Sequence, residues 1–572
     1  MKKLSKPIRK IPTVRTGLNI RTIPDMLEMS AEKYNDSTAF LTPRNGNVYR
    51  LSYGQALERV KRLSRYLKDE LGLGRGDRIA ILGGNSPEWA ISYFSIAFIG
   101  AVAIPLDARA SADLYESILR FSSAKAIILS ASHLPDIRSI ENELKHVILM
   151  ENFDEICNKY SNGVSMENVS ADDVMEILFT SGTTSDPKGV ILTHRNIMSN
   201  VDDVYRIIEF TGHDRAFSIL PIHHCYECTM GLLTPFYNGM SIFYARSLKP
   251  NEMIEDLKTA RPTIWLNTPL ILEKLFLRIN KELSNQKGIK RLATKFLSKK
   301  SIGNRVKQNL GLNRIRLIVS GGAALPVWIS RGLEELGFPI LQGYGLSEAS
   351  PLISVNPPSK PSNESIGMII PSDEVEIRDI DTEGNGEIVA RGPNIMKGYY
   401  RNENATKEVL TPDEWLMTGD VGYFDEEGYL YITGRKKFVI VTKGGKNVFP
   451  EEIEEKLTKS AYIEEAIVFS PDDKTIQAVI YPNLDEVRGV LGSLGKDWSD
   501  ENIWELIRLD VKKVNENLEA YKKISHFAIR FEEFQKTTTR KIKRHMFKTL
   551  DLKSGIKVIR TSLINGSNSV FS

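Results

Sequence analysis

Three cysteines in 572 residues, Cys157, Cys225 and Cys228, are too few for a disulfide framework. Their scarcity points to a reducing compartment, taken here as the cytoplasm. An excess of one charge is also missing. With 76 basic against 72 acidic residues the net charge is +4, so nothing global suits nucleic acid. The start, Met1 to Gly17, carries Lys2, Lys3, Lys6, Arg9, Lys10 and Arg15 but no apolar stretch, unlike a secretory signal. Long hydrophobic runs are absent except for Trp89–Leu106, eighteen residues without a charge. Gly100 and Pro105 interrupt that run at the lower length limit for a membrane span. A buried helix over Pro87–Gly100 leading into a strand at Ala101–Leu106 is expected instead. Internal repeats and low-complexity tracts are lacking too.

What is present reads as a large α/β protein. The length exceeds what one core serves, so roughly two to four domains or subdomains are expected. Leu57, Val60, Leu63, Leu67 and Leu71 recur at helical spacing over Tyr53–Leu71, and Gly72 follows as a stop. Apolar runs at Arg78–Leu82, Ala126–Leu129, Val147–Met150, Ile264–Leu266, Arg316–Val319 and Ile340–Gln342 predict strands alternating with helices. Such nearly all-apolar strands belong in parallel sheets covered on both faces. Composition shifts at Gly434-Arg435-Lys436-Lys437. Beyond it lie an amphipathic helix at Pro450–Leu457 and strands near Glu465–Phe469 and Thr475–Tyr481. A long helix near Glu501–Leu518 and a strand at Phe527–Phe531 complete a small α+β domain. Arg278–Arg316 holds twelve Lys/Arg and one acid, Glu282. It reads as a solvated helical face, or as a face that docks on anionic lipid or another acidic surface.

Several short segments carry chemistry. From Glu176 to His194 an apolar strand ends in Thr180-Ser181-Gly182-Thr183-Thr184, and Lys188-Gly189 precede a second strand. Small hydroxyl residues and glycines let backbone N–H groups converge on phosphate oxygens, with Lys188 as a point charge. It is not a Walker P-loop, because no G-x-x-x-x-G-K-[ST] occurs and no helix starts at the lysine. Gly343-Tyr344-Gly345-Leu346-Ser347-Glu348 follows a strand, where α/β sheets bind ligands. There Tyr344 can stack on a planar ring, and Glu348 is a hard oxygen ligand suited to Mg²⁺. Asp420, beyond Trp415–Thr418, can accept both hydroxyls of a ribose or close an Asx-type turn. Arg435 suits phosphate or ribose oxygens. The basic run Lys536–Arg544 reads as a phosphate-seeking loop or a solvated charge run. His223, His224, Cys225 and Cys228 lack the second Cys pair of a closed zinc site.

In this order, Thr180–Gly189, Gly343–Glu348, Thr418–Asp420, Gly434–Lys437 and the segment around Lys541 resemble the core motifs of the adenylate-forming superfamily. That superfamily comprises acyl-CoA synthetases, peptide-synthetase adenylation domains and firefly-type luciferases. The resemblance spans roughly Arg21 to Phe547. Ser320-Gly-Gly-Ala-Ala-Leu325 and Gly343-Tyr-Gly-Leu-Ser-Glu-Ala-Ser-Pro351 look most like its long-chain fatty acyl-CoA synthetase branch. The resemblance implies a large N-terminal domain, 1–436, of parallel and mixed sheets flanked by helices. A hinge at Lys437 would join it to a small mobile lid, 437–553, followed by a disordered tail, 554–572. The implied reaction is ATP-dependent activation of a medium- or long-chain fatty acid to acyl-AMP, with release of pyrophosphate, then transfer to CoA. Loading of a carrier-protein phosphopantetheine is the alternative, as is an aryl or short-chain carboxylate. The protein would be cytoplasmic, or peripheral on the inner face of the membrane through 278–316.

By the same resemblance, Thr180, Ser181, Gly182, Thr183, Thr184 and Lys188 hold the β- and γ-phosphates, with Thr184 also near the Mg²⁺. Gly343, Tyr344, Gly345 and Ser347 would surround adenine, Glu348 would bind Mg²⁺, and Asp420 with Arg435 would hold the ribose. Lys541 would serve adenylation, and Gly444-Gly445 would approach the thiol. His224, in Leu220-Pro221-Ile222-His223-His224, would line the acyl site, with Trp265, Leu266, Thr268, Leu270 and Ser350 in the pocket. This chain departs from the family pattern at Ser185, Ser347, Phe438, Gln535 and Arg540.

Overall fold

A computed structural model of the chain describes residues 3–160, 162–180, 188–284, 298–442, 446–536, 542–547, 550–552 and 558–559. They divide into two compact units. The first comprises Met1–Glu376, Val389–Thr418 and Phe424–Tyr431; the second comprises Ile377–Ile388, Gly419–Tyr423 and the chain from Ile432.

In the first unit, a seven-stranded sheet runs in the order Gly398–Tyr399, Lys188–Thr193, Val174–Thr180, Val102–Leu106, Arg78–Leu82, Ala126–Leu129, His146–Leu149. Its last five strands are parallel, and the first two joins are antiparallel. A nine-stranded mixed sheet has a parallel centre of Ser241–Tyr244, Arg215–Ser218, Ile264–Asn267, Leu317–Ser320 and Ile340–Gly345. Most residues of these central strands are buried, as their predominantly apolar sequences require. The uncharged run resolves as expected into a helix and a strand. Ser86 caps the helix Pro87–Phe98 by accepting from the Trp89 N–H, and Pro87 occupies its first turn. Trp89, Tyr93, Phe94 and Phe98 are wholly buried, so this helix lies inside the core. Gly100, at φ +67°, turns the chain into Val102–Leu106. Among the described residues no helix is long and apolar enough to cross a membrane.

The second unit contains a sheet in the order Ile463–Phe469, Ile476–Pro482, Ile524–Arg530, Val558–Ile559. Strand periodicity sends alternate residues to opposite faces. Ala466, Val468, Ala478 and Ile480 join a core with Ile453, Leu457, Val487, Ile503 and Ile507 from three helices. Ile467, Phe469, Val479 and Tyr481 pack instead with Phe534, Phe547 and Leu552. Val558 and Ile559 fall within the stretch expected to be a disordered tail, yet they pair with Ile529 and Arg530 as an edge strand. Residues 553–557 and 560–572 lie outside the described residues. The basic stretch Arg278–Arg316 contains the end of helix Pro269–Ser284 and the helix Lys299–Asn309. Residues 285–297 between them lie outside the described residues.

A buried ion pair ties the second unit's helix Pro450–Leu457 to the segment after residue 541. Arg544 Nη1 donates to Glu454 Oε1 at 2.7 Å, and its other terminal nitrogen reaches Oε2. Glu454 also accepts the Val468 N–H at 2.7 Å. Arg544→Met strands a buried carboxylate and is expected to destabilise this unit by about 3–5 kcal/mol. Arg544→Met/Glu454→Gln should recover most of that loss. Denaturant-dependent hydrogen exchange of the Ile463–Phe469 amides measures both.

Candidate active site

Lys188–Thr193 lies between two antiparallel neighbours, with Thr180 opposite Lys188 on one side and Tyr399 opposite Val190 on the other. The Lys397 N–H donates to Ile191 O at 3.0 Å and the Tyr400 N–H to Gly189 O at 2.7 Å. Glycine is required at 189, because a Cβ there would meet Ile177 Cγ2 at 2.8 Å and the Phe179 ring at 3.0 Å. Lys188 Nζ stands 5.3 Å from the centroid of the Tyr399 ring. The Tyr399 hydroxyl donates to Glu348 Oε1 at 2.7 Å. The lysine of one motif and the acid of another thus meet on the two ends of one tyrosine. Burial, then the Glu348 charge, raise the Tyr399 phenol well above its ordinary range, so it stays a proton donor. Ser181, Gly182, Thr183 and Thr184 lie outside the described residues, and Thr180 is placed by its backbone alone.

Glu348 sits in a short turn, Ser347–Ala349, after the strand Ile340–Gly345. Gly345 permits that turn: a Cβ would lie 1.7 Å from Pro351 O. Gly343 and Tyr344 pair with Val355 and Ser354, and Tyr344 is buried. Ser347 accepts the Cys225 thiol at 3.6 Å, and Cys225 Sγ is 3.8 Å from His224 Nδ1, so the His224 turn packs against the Glu348 turn. Burial lowers neighbouring His223 to about 4, an effect the Asp107 carboxylate opposes. Buried asparagines brace the back of the turn. Asn200 Oδ1 accepts the Leu352 N–H at 2.6 Å, and Asn394 Nδ2 donates to Leu352 O at 2.8 Å. Asn196 donates to the carbonyls of Pro393 and Ile395. Ser350 is fully buried with its hydroxyl donated to Asn394 O at 2.8 Å, so it serves this brace and does not present an open pocket wall.

Of the remaining pocket candidates, Trp265 is buried edge-on to Phe217, their centroids 6.1 Å apart. Leu266 is buried and Thr268 half-buried. Leu270 is 40% exposed, at odds with the expected pocket lining, because it falls on the outer face at the start of helix Pro269–Ser284.

In the second unit, Arg435 Nε pairs with the buried Asp420 Oδ1 at 2.6 Å. Lys436 bonds Glu387 at 2.6 Å. Lys437 is exposed, its ammonium 4.9 Å from the centroid of the Phe438 ring. Arg544 covers the same ring at 5.0 Å, so two cations flank the position where the family pattern has aspartate. Gly444, Gly445 and Lys541 lie outside the described residues.

The comparisons with known proteins bear on this arrangement. Residues 27–400 match the model of the AMP-binding enzyme family, and 437–553 match the AMP-binding enzyme C-terminal domain. This chain belongs to the AMP-binding enzyme family. A long-chain-fatty-acid–CoA ligase of Bacillus subtilis (strain 168) is 29% identical, the match covering 80% of this chain and 85% of the relative. A chloroplastic long-chain-fatty-acid–[acyl-carrier-protein] ligase of Arabidopsis thaliana is 27% identical, covering 85% and 80%. The solved structure of ATP-bound MatB from Rhodopseudomonas palustris has the same fold, at TM-score 0.75 and 22% identity over 92% of this chain and 99% of that one. The expected architecture of a large mixed α/β domain and a smaller C-terminal domain therefore holds.

The donor chemistry fits the family's metal. Glu348 is a half-buried carboxylate steadied by a phenolic O–H, a hard oxygen ligand of the kind Mg²⁺ prefers. Sequence reasoning missed Tyr399 and the asparagines. Met396-Lys397-Gly398-Tyr399-Tyr400 carries no charge pattern that marks it. Only the pairing with Lys188–Thr193 gives it a role.

Glu176, on the strand leading to the Thr180 motif, is 2% exposed and accepts the Tyr93 hydroxyl at 2.9 Å. Burial raises its carboxyl from 4.5 to about 7. A raised carboxyl binds its proton more tightly in the folded chain. Its stabilising contribution is complete below about pH 4.5 and is lost as pH rises to about 7. Glu176→Gln should therefore be about 2–3 kcal/mol more stable than the unsubstituted chain at pH 8 and equally stable at pH 4. Urea unfolding at the two pH values tests this, and a pH-independent difference would contradict it.

Proposed function

We propose that this AMP-binding enzyme activates a medium- or long-chain fatty acid as acyl-AMP, releases pyrophosphate, and transfers the acyl group to CoA. The observation that carries the reading is the Lys188–Tyr399–Glu348 cluster, which sets a cation and a carboxylate at adjacent strand ends. The family match and the named fatty-acid ligases among the relatives support it.

A carboxylate attacking the α-phosphorus of ATP brings like charges together, so the protein must neutralise and orient them. Thr180–Thr184 and Lys188 position the leaving phosphates. Glu348 and Thr184 would hold Mg²⁺, which would supply further neutralisation of phosphate oxygens. Gly343–Ser347 surrounds adenine, while Asp420, oriented by Arg435, holds the ribose. Lys541 supplies positive charge at the reacting phosphate. The acyl chain lies along Trp265 and Thr268, with His224 lining the same site. Lys541 and Gly444-Gly445 lie on one lid, 437–553, so rotation at the Lys437 hinge exchanges the adenylating lysine for the thiol-side loop.

The similarity to an acyl-carrier-protein ligase favours a second reading for the acceptor, a carrier-protein phosphopantetheine. Arg278–Arg316, with twelve Lys/Arg and one acid, is then the docking face for an acidic carrier. Carboxylate-dependent ATP–pyrophosphate exchange is expected with C12–C18 acids and weak with C2. Lys541→Ala should lower it at least about 100-fold. Absence of exchange with every acid from C2 to C18 would reject the reading. A thiol-release assay comparing free CoA with a carrier protein decides the acceptor.

A further inference from the structure

Lys188 and Glu348 carry opposite charges, stand at one site, and touch the same side chain. Among the described residues no ion pair joins them. The tyrosine stands between: its hydroxyl occupies one carboxylate oxygen, and its ring faces the ammonium. Without a spacer, two flexible oppositely charged side chains at one half-buried site would collapse onto each other. A collapsed pair is a poor receiver for a polyanion and its divalent cation, since each charge is already neutralised.

We propose that Tyr399 is a positioning residue that keeps Lys188 and Glu348 apart, leaving the ammonium open to nucleotide phosphates and the carboxylate open to Mg²⁺. The inference rests on the adenylation reading above and adds a residue that its motifs do not contain. The backbone around Tyr399 suits a rigid spacer. Its own N–H donates to Thr406 Oγ1 at 2.9 Å, and the flanking N–H groups of Lys397 and Tyr400 hold it to the Lys188 strand. The Met396 N–H donates to Glu348 O at 2.9 Å, so the same segment grips the backbone of the acid it orients. Gly398 sits at φ +139° with Thr406 Cγ2 2.7 Å from where a Cβ would be, which fixes the direction in which Tyr399 leaves the turn. The ring accepts the ammonium as a cation–π partner without neutralising it. The phenol orients the carboxylate by one oxygen, as an outer-shell donor orients a metal ligand.

The two halves of the spacer separate by substitution. Tyr399→Phe keeps the ring and loses the hydroxyl; Tyr399→Leu loses both. Calorimetric titration of the full chain with ATP, with and without Mg²⁺, reads binding without turnover. Tyr399→Leu should weaken Mg²⁺–ATP binding by on the order of 10–100-fold. Tyr399→Phe should retain metal-free ATP affinity while requiring more Mg²⁺ for the same enhancement. Combined with Tyr399→Leu, E348Q should raise metal-free ATP affinity several-fold more than it does beside Tyr399, because only there does it release a captured Lys188. A merely structural tyrosine would give no such coupling. Unchanged Mg²⁺–ATP affinity in Tyr399→Leu, or equal E348Q effects in both backgrounds, would overturn the proposal. If Tyr399→Leu does not fold, Tyr399→Phe decides by its Mg²⁺ dependence alone, an unchanged dependence overturning it. An unsubstituted chain that fails to bind ATP would instead reject the adenylation reading itself.

Discussion

Backbone hydrogen bonds from Lys397 to Ile191 and from Tyr400 to Gly189 fasten a two-residue strand to the edge of the seven-stranded sheet. That small ladder connects segments about two hundred positions apart in sequence. One flank leads through Met396 to Glu348, and the other through Gly189 to Lys188. Antiparallel register then decides which side chains share a face, and a one-residue slip would send the Tyr399 ring to the opposite side. The glycine at 189 and the positive φ at Gly398 make such a slip sterically expensive. The placement of Lys188 and Glu348 around Tyr399 therefore depends on backbone pairing.

Behind the ladder, the fold uses neutral amides where it needs rigidity. Asn196, Asn200 and Asn394 bond backbone carbonyls and N–H groups in a buried region. A buried amide can donate and accept at once, and it carries no charge to disturb Lys188 or Glu348 nearby. The second unit follows another rule. There, beside its apolar cores, Arg435, Lys436 and Arg544 each hold a buried carboxylate. Salt and pH act more directly on the second kind of order than on the first.

The sequence disclosed these parts unevenly. Arg78–Leu82 and Ala126–Leu129 stand as expected, because an all-apolar run in a parallel sheet has few competing structures. The strand expected at Val147–Met150 runs instead over His146–Leu149, since its register against Ala126–Leu129 sets its ends. The helix from Tyr53 is α-helical to Arg65 and then widens into a π-turn over Tyr66–Glu70, which apolar spacing alone does not reveal. Lys188, Glu348, Asp420 and Arg435 stand out in the sequence as charged residues near glycines, and the structure brings Lys188 and Glu348 to one tyrosine and Arg435 onto Asp420. Tyr399 was not, because an aromatic residue near a turn is ordinary until its neighbours across the sheet are known. Asn200 and Asn394 were hidden for the same reason, their partners being backbone atoms of distant segments.

The second unit is not a contiguous length of chain. It takes in Ile377–Ile388 and Gly419–Tyr423 as well as the residues from Ile432 onward. Asp381 receives the Asn447 amide at 2.9 Å, and Glu383 receives the Tyr521 hydroxyl at 2.9 Å. A recombination event that exchanged everything from Ile432 onward would thus leave two native partners of the second unit behind. Inheritance of this unit is bound to two short upstream segments. The heritable module is wider than the C-terminal stretch of chain that makes up most of it.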